Sequence, residues 1–365
     1  MLHGASAALA QDSLPPNPAA RALPGGADVV HGTVTFDRSN PGSLQVIQST
    51  DRAIVNWQSS DIAADNSVVV AQPGANAAAL FRVTGNTDSQ IAGTLTANGQ
   101  LFLINPNGIA ITKGARIDAG SFVASTLDIA DADFLSGNFR FRRNGQARGV
   151  ANAGTITAGS AVALLGSNVV NEGVVSARLG RIGYAAGDAV TISFSGDNFL
   201  SVAVPANEAD NITDAFGRPL SALVQAGGTT SAEGGRIYLA AATARQLMLG
   251  AVKVSGELVA TTVSQGPGGT VSLGGVTVDG GQGLVQLDGV INASGAAGNG
   301  GNVSIKGGAV GVGGVISVGG DNGGTVTISA DNALSLAGTV DARGMRGNGG
   351  SVSYRSGGDV LENVA

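Results

Sequence analysis

Gly289-Val290-Ile291-Asn292-Ala293, Gly314-Val315-Ile316-Ser317-Val318 and Gly338-Thr339-Val340-Asp341-Ala342 are copies of one phrase: glycine, a β-former, an aliphatic, a small polar residue, then Ala or Val. They recur at intervals of 25 and 24 residues. Earlier copies stand at Gly93-Thr94-Leu95-Thr96-Ala97, Gly154-Thr155-Ile156-Thr157-Ala158 and Gly173-Val174-Val175-Ser176-Ala177. A second phrase, Gly-Gly-x-β-x-aliphatic, interleaves with the first at 234–239, 268–273, 300–305 and 323–328. Two strand types alternating at this period suit one coil of a parallel β-helix and are too closely spaced for a propeller blade of about 40 residues. The fold class expected is therefore all-β, a right-handed parallel β-helix, the hand following the crossover rule for parallel strands.

Strand alternation assigns the third residue of the first phrase to the interior. Leu95, Ile156, Val175, Ile291, Ile316 and Val340 should form one aliphatic ladder, with their Thr, Ser, Asn and Asp neighbours outside. At about 22 residues per coil, the chain would make about 15 coils and a rod about 70 Å long. The rival architecture, an antiparallel sandwich, draws on Asn98-Gly99, a hairpin signal between two strand-like runs. Most repeats lack that signature. A local hairpin is expected instead over Asn138–Arg148, where alternating Phe and Arg lead into Asn144-Gly145. The first coil needs a cover, since a bare edge would pair with other chains; Leu23 to Phe36 is the segment expected to supply it.

Composition supports a narrow, repeated interior. The 365 residues include 59 glycines, and aromatics are only 4%. A net charge of −6 with 13% charged residues excludes the concentrated basic face that nucleic acid requires. Cysteine is absent, which removes disulfides and thiolate metal sites. No apolar run approaches the roughly 18 residues of a spanning helix. Ala5-Ser6-Ala7-Ala8-Leu9-Ala10-Gln11-Asp12 reads as the end of a secretory signal, and Pro15, Pro16, Pro18 and Pro24 keep the following linker extended.

The motif most expressive of function is Asn105-Pro106-Asn107-Gly108, which breaks two strand-like runs with turn chemistry before Ile109 resumes a strand. With Val29-Val30-His31-Gly32, Ile54-Val55-Asn56-Trp57, Phe81-Arg82-Val83-Thr84 and Ala124-Ser125-Thr126-Leu127-Asp128-Ile129 around it, the order of motifs closely resembles the secretion domain of two-partner-secretion exoproteins, the filamentous haemagglutinin family. The resemblance spans roughly Leu23 to Pro205. The upstream Asn-Pro-Asn-Leu of the haemagglutinin branch is absent, so the chain is most similar to the high-molecular-weight adhesin branch.

That resemblance implies a division into a signal remnant and linker (1–22), a secretion domain (23–205) and Gly-rich coils beginning an adhesin shaft (206–365). It implies recognition by the POTRA domains of a dedicated outer-membrane β-barrel transporter, passage through the periplasm and pore of a Gram-negative cell, and folding outside, coil by coil. Asn105, Pro106, Asn107, Gly108 and Ile109 would form the recognition or folding motif. The product would be a monomer, secreted or held at the cell surface, that adheres to a receptor or glycan of another cell and needs no cofactor or metal.

Other residues carry weaker chemistry. His3 and His31 have no acid partner or nucleophile in any motif. Asp128, Asp131 and Asp133 raise the alternative of a polysaccharide-processing β-helix lyase or hydrolase, or a calcium loop, but lack an oxygen-rich glycine-containing ion loop. Arg140, Arg142, Arg143 and Arg148 could dock on the transporter or on acidic glycans. Asn211, Asn292 and Asn302 begin Asn-x-Ser/Thr sequons.

Overall fold

The computed structural model describes residues 22–145, 148–194, 199–204, 213–242, 250–264, 271–272 and 274–362. The expected ladder is present and longer than the phrases alone mark. Leu44, Val68, Leu95, Ile117, Ile156, Val175, Thr230, Leu258, Ile291, Ile316 and Val340 stack as consecutive in-register parallel neighbours. All but Val340 are buried. The residues before and after each rung point outward, as at Val174, which is 43% exposed beside fully buried Val175. These eleven rungs fall short of the 15 coils expected, because the chain twice leaves the helix, between Ser125 and Val150 and between Ala186 and Ala222. Ten intervals at strand spacing make a ladder about 48 Å long.

A second inward ladder runs from Ala79 through Leu101, Phe122, Val162, Ile182, Ile237, Val276, Val303 and Val326 to Val352. A third runs from Ile109 through Val150, Val169, Val224, Val252, Val285, Val310 and Leu334 to Val360. The three together enclose one continuous apolar interior. The expected second-phrase copy at 268–273 is not a rung. Its described residues Val271–Ser272 pair antiparallel with Val263–Ser264, and the rung is taken by Gly275–Asp279, whose Val276 and Val278 alternate equally well.

The leading glycine of the first phrase has a steric reason. A Cβ on Gly173, Gly228, Gly256, Gly289, Gly314 or Gly338 would lie 2.0–2.1 Å from the carbonyl oxygen of the preceding glycine in the same column, starting from Gly154. Asn98-Gly99 is likewise no hairpin. Strand Thr94–Ile104 runs on through it, with a register shift where it turns the corner, and Asn98 exchanges hydrogen bonds with the backbone of Gln72 one coil below.

The first coil is covered as expected. Strand Asp28–His31 pairs antiparallel with Arg52–Trp57, and Val34–Asp37 with Ser43–Gln48, closing both strand edges. Phe36 meets the buried Trp57 edge-on at 5.4 Å.

The expected hairpin at Asn138–Arg148 is corrected to one strand of a larger layer. Asp128–Ile129, Arg140–Arg142, Ala189–Ile192 and Leu200–Val204 form a four-stranded antiparallel sheet outside the helix, its strands drawn from both excursions. The short helix Asp131–Ser136 joins it, with Phe134 buried 5.3 Å from the Phe102 ring. The layer explains the outward column beneath it: Ile54, Leu80, Phe102, Val123 and Ala163 are apolar and buried, whereas beyond Tyr238 the same column becomes Thr277, Ser304, Thr327 and Ser353. On another face, Phe216 and Leu220 cover Ala110, Ala151 and Val170.

Candidate functional site

The Asn105–Ile109 turn sits at a corner of the helix, between the end of strand Thr94–Ile104 and strand Ile109–Ile111. It closes by the Gly108 N–H donating to the Asn105 carbonyl at 3.1 Å, with Gly108 at φ +120°, a conformation glycine accepts without strain. Asn105 is fully buried, and its amide uses all its capacity. Nδ2 donates to the Thr87 carbonyl (3.0 Å) and to Ser89 Oγ (2.9 Å), while Oδ1 accepts from the Asn107 N–H (3.0 Å) and Asn107 Nδ2 (3.1 Å). Asn107 Nδ2 also reaches the Gly85 carbonyl at 2.8 Å. The backbone extends the connection to the next coil, since Asn105 N–H donates to Ser125 and Ile109 N–H to Gly149. The turn thus joins three successive coils, leaves Pro106 and Asn107 half-exposed, and contains no titratable group.

Of the four arginines, Arg140 and Arg142 stand exposed either side of buried Phe141 on the outer sheet. Arg142 and Arg143 share a shallow bowl with Arg82, Asp128 and Asp131. Arg143 lies 3.3 Å from Asp188 and donates Nε–H to the Gly145 carbonyl at 3.0 Å. Arg148 lies instead at the turn, donating its N–H to the Pro106 carbonyl at 3.3 Å and accepting from Thr126 Oγ1. The carboxylates of Asp128 and Asp131 are both engaged by Arg82, at 2.9 and 2.8 Å. Asp133 opens the short helix with Asp131. His31 is exposed on the covering strand and His3 lies outside the described residues. Among the described residues no group of three acidic, His or Cys side chains is arranged to hold a metal.

Asn302 is exposed on a strand, whereas Asn292 is half-buried and its Oδ1 accepts from the N–H and hydroxyl of Ser294 at 3.1 and 2.6 Å. Asn211 lies outside the described residues. Sequence reasoning missed the partners that hold the turn, Gly85, Thr87 and Ser89, because they lie on a different coil some 16–22 residues away. It also missed Arg82, although that residue stands inside a quoted motif.

These features together define a capped parallel β-helix with an apolar side layer and a buried asparagine turn. The fold is similar to the secretion domain of HMW1 from Haemophilus influenzae, with a TM-score of 0.76 and 28% identity, covering 93% of this chain and all of that one. Two heme/hemopexin-binding proteins of Haemophilus influenzae are 35% identical over 226 residues and 38% identical over 125. Those matches take in 60% and 34% of this chain but only 24% and 14% of the relatives, so the chain spans about a quarter or less of their length. The chain belongs to the TPS secretion domain family, whose model matches residues 22–287. Its place is that of the family, in exoproteins exported across the outer membrane to the cell surface or beyond it.

Proposed function

We propose that this chain directs export through a dedicated β-barrel transporter bearing POTRA domains, starts folding of the β-helix at the pore exit, and carries an adhesin shaft of which residues 206–365 are the beginning. The turn at Asn105–Ile109 is the proposed recognition and folding element. The observation that carries this reading is the full hydrogen-bonding of buried Asn105, through Nδ2 to the coil below and through Oδ1 to Asn107, which holds Pro106 and Asn107 at the surface. Each new coil adds an aliphatic rung to a preformed template, so folding is directional and local in sequence. Arg148 at the turn, with Arg140 and Arg142, supplies charge for docking, and Asn302 is, among the described residues, the exposed sequon for glycan attachment.

The test is supernatant yield for Asn105→Ala and Asn107→Ala with the cognate transporter, beside circular dichroism of the purified variants and a stability-matched Ile156→Val control. Lost secretion from variants that still fold supports the proposal; normal secretion of both returns the motif to a plain structural turn.

The adhesin reading rests on the motif resemblance to the high-molecular-weight adhesin branch. A second reading, that the whole exoprotein binds heme or hemopexin, is favoured by the 35% identity to a protein so named. Pull-down of hemopexin against adherence to epithelial cells separates the two. A polysaccharide-processing enzyme would want several acidic and basic groups along one groove. The cleft of about 690 Å³ beside Leu200–Val202 has Arg236 and Asp279 as its charged lining residues, which supports export over catalysis.

A further inference from the structure

Thr230 is the single polar rung in the ladder from Leu44 to Val340, and it is fully buried. Its hydroxyl shares a hydrogen bond with the equally buried Tyr184 hydroxyl at 2.8 Å and accepts from Asn171 Nδ2 at 3.3 Å. Asn171 Oδ1 in turn accepts from Asn152 Nδ2 at 2.8 Å, and Asn152 Oδ1 from the Gly154 N–H. Asn171 and Tyr184 belong to one coil and Thr230 to the next. Between these two coils the chain makes its longer excursion, through the outer sheet and the Phe216 cover, before rejoining at Ala222–Ala226.

Apolar packing alone does not tell the returning chain which coil should land first. The coil after it offers Val252, Leu258 and Val276 where the correct one offers Val224, Thr230 and Ile237. Two of the three positions are interchangeable aliphatics. The third is not: Leu258 in place of Thr230 would bury the Tyr184 hydroxyl and an Asn171 amide hydrogen without partners, the costly outcome for a polar group inside a protein. We infer that the Asn171–Tyr184–Thr230 node is a register lock, selecting the coil that docks on Val169–Ala186 after the chain returns.

The absence of native cysteine allows a direct test on the full chain. Val174 is the lateral neighbour of Thr229, which is the neighbour of Glu257 one coil further on. Adjacent rungs lie within disulfide reach and rungs two apart do not. Val174→Cys with Thr229→Cys therefore reports the native register, and Val174→Cys with Glu257→Cys the register slipped by one coil. On oxidative refolding from urea, the slipped pair should stay at background with Thr230 present. It should rise roughly tenfold in Thr230→Val, which leaves either register with unpaired polar groups, and return to background in Thr230→Ser. If Thr230→Val does not fold, Asn171→Leu/Tyr184→Phe/Thr230→Val replaces the whole node by apolar groups, and should fold with both registers present. The slipped pair at background in every folded variant lacking the hydroxyl would overturn the proposal. So would failure of the triple variant to fold, because the node would then supply stability and not choice.

Discussion

Arg82 and Asp128, 46 residues apart in sequence, meet at 2.9 Å and fasten the outer sheet to the β-helix. The same guanidinium reaches Asp131 at 2.8 Å and the Ile129 carbonyl at 2.6 Å, so one side chain holds both residues of the strand and the start of the short helix. Arg82→Ala should cost about 2 kcal/mol, the usual worth of partly buried charge-assisted hydrogen bonds. Protection from hydrogen exchange should fall in 128–142 while the ladder strands keep theirs. Uniform loss across the molecule would mean that the layer is not separately anchored.

The ladder assignment is tested by charge. Val175→Asp places a carboxyl in the closed interior and should cost at least about 4 kcal/mol. Thr155→Asp, one residue from a rung but facing outward, should cost under about 1 kcal/mol. Thermal denaturation compares them directly, and equal shifts would reverse the inward and outward faces.

Asn105→Ala deletes four hydrogen bonds, strands the fully buried Ser89 hydroxyl and takes from the Thr87 carbonyl its side-chain donor. About 2–3 kcal/mol is expected, more than an ordinary turn cap. Asn107→Ala, half-exposed, should cost about 0.5–2 kcal/mol. Urea titration of the two variants gives the order.

Burial pushes the Asp61 carboxyl above its ordinary value of 3.8, against the hydrogen bond from the Gln90 N–H, and nearby Asp88 pushes the same way. The folded state therefore favours the protonated acid. Its contribution is most favourable below the unfolded value and is lost as pH rises through the folded one. Asp61→Asn keeps an oxygen for Gln90 and should stabilise the protein at pH 7 by up to about 1 kcal/mol, given the group's partial exposure. The advantage should vanish below about pH 4. Melting temperatures from pH 3 to 8 would show the two curves converging on the acid side.

Gly256→Ala would drive a methyl against the Gly228 carbonyl, 2.1 Å from the site of its Cβ, and should cost about 2–3 kcal/mol. Gly311→Ala meets nothing within 4 Å and should be neutral or stabilising by up to about 1 kcal/mol. Calorimetry of both variants checks the contrast.

The parallel helix was readable because its rungs repeat: Ile291, Ile316 and Val340 sit in one phrase, and stacking like on like needs no distant information. Rungs outside the phrase depart from it: Ile117 has Ala115 where the glycine stands, Leu258 follows Glu257 in place of a β-former, and Thr230 is itself not aliphatic. The outer sheet was beyond reach for another reason. Its strands are two to five residues long, come from two separate excursions, and acquire meaning only from the apolar column of Leu80, Phe102 and Val123 that they cover. Asn98-Gly99 misled because a corner that bends while pairing continues uses the residues of a turn that reverses the chain. At Asn105 the turn chemistry was legible, but the depth of its burial was not, since its acceptors belong to the coil beneath.

The antiparallel strands Asp28–His31 and Val34–Asp37 give the molecule a polarity like that of a filament with one blocked end. These two short strands occupy the edges on which a parallel coil from a second molecule would otherwise continue the ladders of Leu44 and Ala53, so such a coil could seat there only after displacing them. Growth of the parallel helix therefore runs one way, away from Trp57.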